Sequence, residues 1–202
     1  MEHAGPVRPD GSLTEAAIVL LHAVSGVEID LLRAARIRPS RTNWLRAPWY
    51  PYARGGAITV GRTIWFTRIW YDPKGHGDGS LHSTWKWLLL LAHEVGHLPQ
   101  AERFGRSFFA KARYVGAFSW QYASRAVLLR RPIHDGSRLE REAELGRWVL
   151  LRLIDATLEQ DSIVTLVHAD NFDAVRAWCF NRKDRITQLQ NAYRAGFLMG
   201  PV

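Results

Sequence analysis

From residue 13 to about residue 36, apolar side chains recur at helical spacing: Ala16, Ile18, Val19, Leu20 and Leu21, then Val27, Ile29, Leu31 and Leu32. That spacing gathers them on one helical face, and Ser25-Gly26 interrupts it, so two helices broken at this point are predicted. Residues 38–56 carry Pro39, Pro48 and Pro51 and read as a loop. Residues 57–70, AITVGRTIWFTRIW, obey a different rule. Their β-branched and aromatic side chains flank Gly61, which predicts a hairpin, or two short strands, turning at Gly61-Arg62. Residues 71–80, YDPKGHGDGS, read as a glycine-rich loop. Its Asp72 and Asp78 match no calcium-loop spacing, and a solvated role is expected for both. Beyond them the pattern is helical at 81–98, 101–129, 138–158, 162–179 and 183–197, with Pro132 and Gly136 in the widest break.

A small sheet placed before a run of helices is an α+β arrangement, mainly helical, with an antiparallel hairpin preceding the helix at 81–98. The 202 residues suit one domain, and 47% hydrophobic content can fill its core. Residues 1–12, bearing glycine and proline, are expected to be disordered, leaving 13–202 as a single domain. No repeat with a period of about 20–50 residues is present.

Charge and cysteine content narrow the functional classes. The net charge is +8, and all but four of the 27 basic residues are arginine. They are spread along the chain between apolar positions, which describes a solvated basic surface rather than a nucleic-acid platform. No helix-turn-helix or aromatic-basic patch appears, so nucleic acid is not an expected partner. Cys179, the single cysteine, excludes an intrachain disulfide and reads as a small buried hydrophobe. Acidic Glu2, Asp10 and Glu15 precede the first apolar stretch, and His22 interrupts it. That is not a signal peptide, and no segment reaches the length of a membrane span. Synthesis in the cytoplasm is expected.

Chemistry enters at residues 87–100, WLLLLAHEVGHLPQ, where the greasiest segment runs into His93, Glu94 and His97. Buried imidazoles and carboxylates must be satisfied by hydrogen bonds or a metal. The pattern is H-E-x-x-H. On a helix, His93 and His97 lie one above the other and can present nitrogens to one ion. Glu94 is one residue round, placed to take a proton from water rather than to ligate. That division suits zinc-assisted hydrolysis. Gly96 leaves room beside the imidazoles.

Catalytic zinc takes three protein ligands. Gln100 and Arg103 stand where H-E-x-x-H-x-x-G-x-x-H would need Gly and His, which excludes that version. Downstream, SRLEREAELGRWVLLRL offers Glu140, Glu142 and Glu144. Glu140 and Glu144 share a helical face, whereas Glu142 points about 200° away from Glu140. All three stay open as the third ligand on spacing alone.

HEVGH followed by EREAE resembles the glutamate zincins, the thermolysin-like metallopeptidases. Residues 55–155 look most like small bacterial domains read as peptidases and associated with contractile injection systems. The resemblance implies a Zn2+ ion held by His93, His97 and Glu140, with Glu94 as general base and Glu144 holding a ligating histidine. It implies an oxyanion donor upstream of the third ligand, for which His134 is the candidate, with Tyr122 and Tyr114 further back. It also implies a peptide or protein substrate, and delivery through a specialised secretion machine. The substrate is expected to add as a strand along residues 63–69. The alternative is a non-catalytic zinc-binding cargo or interaction domain on the same scaffold. Leu98-Pro99 is expected to end the zinc helix early.

Overall fold

The computed structural model describes residues 5–39, 56–66, 81–105, 107, 109, 112–117, 138–157 and 160–198. Helix α1 is Glu15–Ser25. Thr14 caps it by accepting from the Ala17 N–H at 3.3 Å, and Gly26 ends it with φ 71°, its N–H on the His22 carbonyl. Only glycine takes that left-handed conformation without strain, which is why the break falls where the sequence places it. Helix α2, Ile29–Ala34, follows. Ala16, Ala17, Leu20, Leu21 and Val24 are fully buried, so α1 is the central helix of the fold.

The segment ahead of α1 is not disordered over residues 5–12. Val7 and Leu13 form an antiparallel bridge and are both fully buried. The Gly5 N–H donates to the His168 carbonyl at 2.9 Å, and the Thr14 N–H to the Pro6 carbonyl at 3.0 Å. Asp10 turns the chain by accepting from the Ser12 N–H and hydroxyl. Glycine and proline here serve a tight turn that returns Val7 to the core.

Among the described residues the sheet has three strands in the order β1-β3-β2, with β1 Arg36–Pro39, β2 Ala57–Val60 and β3 Thr63–Phe66. The hairpin β2–β3 is antiparallel and turns at Gly61, φ 62°. Strand β1 was not anticipated: RIRP has one apolar residue, Ile37, too few to show an alternation. It pairs parallel to β3 and buries Ile37 completely. This placement corrects the expected substrate strand. Residues 63–66 are hydrogen-bonded on both sides and offer no edge, and residues 67–69 lie outside the described residues. Among the described residues, the edge strand beside the helices is β2.

Helix α3, Leu81–Glu94, runs into a 3-10 turn at Val95–His97 and then α4, Leu98–Phe104. Pro99 does not stop the chain. It stands in the first turn of α4, where a missing N–H costs no helical hydrogen bond. Residues 112–117 are helical; the rest of the helix expected to 129, and the loop at 71–80 with Asp72 and Asp78, lie outside the described residues. Helices α5, Arg138–Ala143, and α6, Leu145–Thr157, are separated only at Glu144. The single helix expected at 162–179 is two, α7 Gln160–His168 and α8 Phe172–Asn181. Asp170 takes φ 48°, and Asn171 caps α8 through the Ala174 N–H at 3.1 Å. Helix α9 is Lys183–Leu198.

The architecture is α+β and mainly helical. Helix α1 packs against α3, α6, α8 and α9, and α6 also packs on α3. Trp87 of α3 stacks on Phe66 of β3 at 5.1 Å between ring centres. One cluster of buried residues runs from Val7 through Ile64, Trp87 and Leu150 to Leu189. No described helix is long and apolar enough to cross a membrane.

Candidate metal centre

The last turn of α3 and the 3-10 turn carry His93 and His97, and α5 brings Glu140 opposite them. The Nε2 atoms of the two histidines are 3.3 Å apart. Glu140 Oε2 lies 3.2 Å from His93 Nε2 and 3.8 Å from His97 Nε2. The point equidistant from these three atoms is about 2.0 Å from each, the bond length imidazole and carboxylate make to a small divalent cation. All three side chains are largely buried, and together they could hold a metal ion.

The close approach of α5 depends on Gly96. A Cβ there would stand 2.4 Å from the Ala143 carbonyl oxygen and 2.6 Å from the Ala143 Cα. The missing side chain therefore admits the backbone of the opposite helix, rather than the imidazoles as expected. Gly146 repeats the device one turn on: its Cβ would meet the Ala92 carbonyl at 2.8 Å. Gly96 thus seats α5 against the 3-10 turn, and Gly146 seats α6 against α3.

The outward nitrogens of both histidines are engaged. His93 Nδ1 donates to Glu144 Oε2 at 2.7 Å, and His97 Nδ1 to Gln100 Oε1 at 3.0 Å. A donor role at Nδ1 makes Nε2 the nitrogen that faces the shared point, able to bind a metal ion once any proton on it is displaced. Gln100 is almost completely buried, and its amide also donates to the Leu139 carbonyl at 2.7 Å, beside Glu140. Glu142 faces the other way, pairing with Arg138 at 3.0 Å and Arg103 at 3.3 Å.

Glu94 stands apart from the trio. It is buried, and its Oε2 accepts from the Thr59 hydroxyl of β2 at 2.8 Å. The same hydroxyl lies 3.1 Å from the Glu94 backbone carbonyl, so the edge strand is tied to the histidine helix at this residue.

Burial alone would depress the His93 pKa. The hydrogen bonds to Glu140 and Glu144, with the charges of Glu94 and Glu140, override it and lift the group to about 10. In the metal-free site His93 is thus an imidazolium between carboxylates. Tyr114 is buried and its phenol is pushed up, first by burial and then by the Glu94 and Glu140 charges. In the sequence it lies further back from Glu140 than His134 does. His134 and Tyr122 lie outside the described residues. Burial pushes the Cys179 thiol up to about 12, which makes it inert.

Sequence spacing brought out His93, Glu94, His97, Glu140 and Glu144; the structure brings His93, His97 and Glu140 together, sets Glu144 on His93 and holds Glu94 apart on Thr59. Spacing missed Gln100 and Thr59. Gln100 had a signal, since it lies three residues after His97 on the same helical face. Thr59 had none, because its contact joins residues 35 apart in sequence. No protein-family model, curated protein or solved structure matches the chain.

Proposed function

We propose that the chain is a zinc-dependent metallopeptidase of the glutamate-zincin kind. Two imidazoles and one carboxylate are the ligand set of catalytic zinc in such enzymes, with one coordination position kept for the reaction. When bound, zinc supplies a Lewis acid that polarises the scissile carbonyl and makes water acidic near neutral pH. Glu94 receives the proton from the attacking water and passes it to the leaving amine. Thr59 fixes the carboxylate for both transfers. The substrate is an extended peptide lying along β2, the edge strand that carries Thr59, so strand pairing aligns the scissile bond with Glu94.

The observation that carries this reading is the separation of roles among four carboxylates. Glu140 faces the imidazoles, Glu144 orients one of them, Glu142 is paired with arginines outside, and Glu94 is buried and held by a hydroxyl without joining the ligands. A purely structural metal site has no use for Glu94 beyond the tie to β2 that Thr59 makes with it. Substitution Glu94→Gln keeps size and polarity but removes the base. Zinc content is expected to stay at the wild-type level while peptide hydrolysis falls by about 10²–10⁴-fold. Undiminished hydrolysis would remove Glu94 from the mechanism. A zinc-loaded wild type inert towards peptide libraries would favour the non-catalytic interaction domain.

A further inference from the structure

Glu144 stands between α5 and α6, and helical hydrogen bonds run through it. Its N–H donates to the Glu140 carbonyl at 3.0 Å, and its carbonyl accepts from the Trp148 N–H at 2.9 Å. The helices therefore fix where the side chain starts, but several torsions still separate the backbone from the carboxylate. One oxygen, Oε2, accepts from His93 Nδ1 at 2.7 Å. The other, Oε1, lies 3.2 Å from Nε of Arg147, three residues on in α6. A carboxylate held by one bond can swing about it. A second bond on the other oxygen fixes its plane. Nε is the guanidinium nitrogen nearest the backbone, so the fewest torsions separate it from the helix. Among the described residues, Glu144 is the one acid paired with Arg147. Glu142 gives the contrast. Both of its oxygens are taken by arginines, Arg138 on Oε1 and Arg103 on Oε2, and neither is left for a histidine.

We propose that Arg147 is a positioning residue of the metal centre: by holding Oε1 it turns Oε2 of Glu144 to His93 Nδ1, and so aims His93 Nε2 at the point it shares with His97 and Glu140. The proposal rests on that trio being a metal site. The guanidinium does not touch the ion. It acts through Glu144 and then His93, across contacts of 3.2 and 2.7 Å. Two simpler roles lead to different results. As a surface ion pair within one stretch of helix, with side chains 44% and 28% exposed, the contact adds little to stability and nothing to metal binding. As a bare positive charge near a dication, Arg147 repels the metal, and its removal tightens binding. Positioning has the opposite sign. Removal weakens binding, because Glu144 then swings and the His93 ring turns with it.

The test is zinc affinity by dye competition, at fixed pH and ionic strength, in the wild type, Arg147→Met, Glu144→Ala and the double variant. Losing a residue that orients a ligand directly costs about 10–100-fold, so one step further out Arg147→Met is expected to lose about three- to fivefold. Methionine is unbranched and suits a helix, and the metal-free variant is expected to melt with the wild type. In the Glu144→Ala background the same substitution is expected to change nothing, since the connection is already cut. An unchanged or tighter constant in Arg147→Met overturns the proposal, as do losses that add in the double variant. In zinc-loaded protein the His93 Nδ1–H proton, followed by nitrogen-edited NMR, is expected to exchange with water several-fold faster in Arg147→Met. An unchanged rate overturns the orienting role. A wild type that binds no zinc overturns the metal-site reading and this proposal together, whereas zinc bound equally by wild type and Arg147→Met overturns this proposal alone. None of these readouts requires peptidase activity, so the result stands apart from that of Glu94→Gln.

Discussion

Each histidine of the candidate site has two ring nitrogens, and the partner of the outer one decides whether the inner one can bind a metal ion. Glu144 performs this for His93 and Gln100 for His97. Loss of such a partner costs about 10–100-fold in metal affinity. Glu144→Ala and Gln100→Ala are expected to weaken zinc by that much in a competition titration, and Glu142→Ala, whose partners are Arg103 and Arg138, to leave it unchanged. Equal losses in all three variants would mean that the effect comes from the helix and not from the histidine partners. His93 adds a pH dependence with two opposite signs. Its pKa rises from 6.5 to about 10 in the folded metal-free protein. The folded state therefore gains most from the protonated group below pH 6.5 and loses that gain as pH rises through about 10. Zinc must displace the same proton, so its affinity rises about tenfold per pH unit across this window. Thermal melts of metal-free protein are expected to fall from pH 6.5 towards 10, with a flatter profile in His93→Gln, while zinc titrations tighten. Parallel trends would contradict the assignment. Glu144 was legible in the sequence because the four-residue rule places it on the Glu140 face. Thr59 was not, because a strand-to-helix contact leaves no local pattern.

Among elements, the 3-10 turn meets α5 backbone to backbone at Gly96, and α3 meets α6 in the same way at Gly146. Placing a methyl at position 96 puts it 2.4 Å from a carbonyl oxygen, closer than real Cβ atoms approach. The helices must part, and overpacking of this kind costs about 1–3 kcal/mol. Gly96→Ala is expected to lower the melting temperature and to weaken zinc more than the loss of either histidine partner, because Glu140 moves away with α5. Retained affinity would show that Glu140 is not held by this contact. The sequence located Gly96 but not its role: a missing side chain marks a close approach without naming what approaches. The remaining misreadings share one cause. The break at Asp170-Asn171, the continuation through Pro99 and strand β1 each depend on a cap, a first-turn position or a pairing partner, and hydrophobic periodicity records none of them. Where periodicity and a terminator agreed, at Ser25-Gly26 and Gly61-Arg62, the element boundaries were legible.

For the whole molecule, the candidate metal site lies where α5 meets the segment that runs from α3 through the 3-10 turn. His93 belongs to α3, which packs on the sheet and α1, His97 to the 3-10 turn that follows it, and Glu140 to α5, which leads into α6 at Glu144. An ion bound across this seam stabilises only the folded state, by an amount that grows with its free concentration over its dissociation constant. The central claim is that one zinc ion sits at this junction on three named ligands. Diffraction from zinc-loaded crystals, collected on either side of the zinc absorption edge, tests it most directly. One anomalous peak per chain is expected, about 2.0–2.2 Å from His93 Nε2, His97 Nε2 and a Glu140 carboxylate oxygen. A peak elsewhere, or one coordinated by Glu94, Glu142 or Glu144 in place of Glu140, would contradict the account.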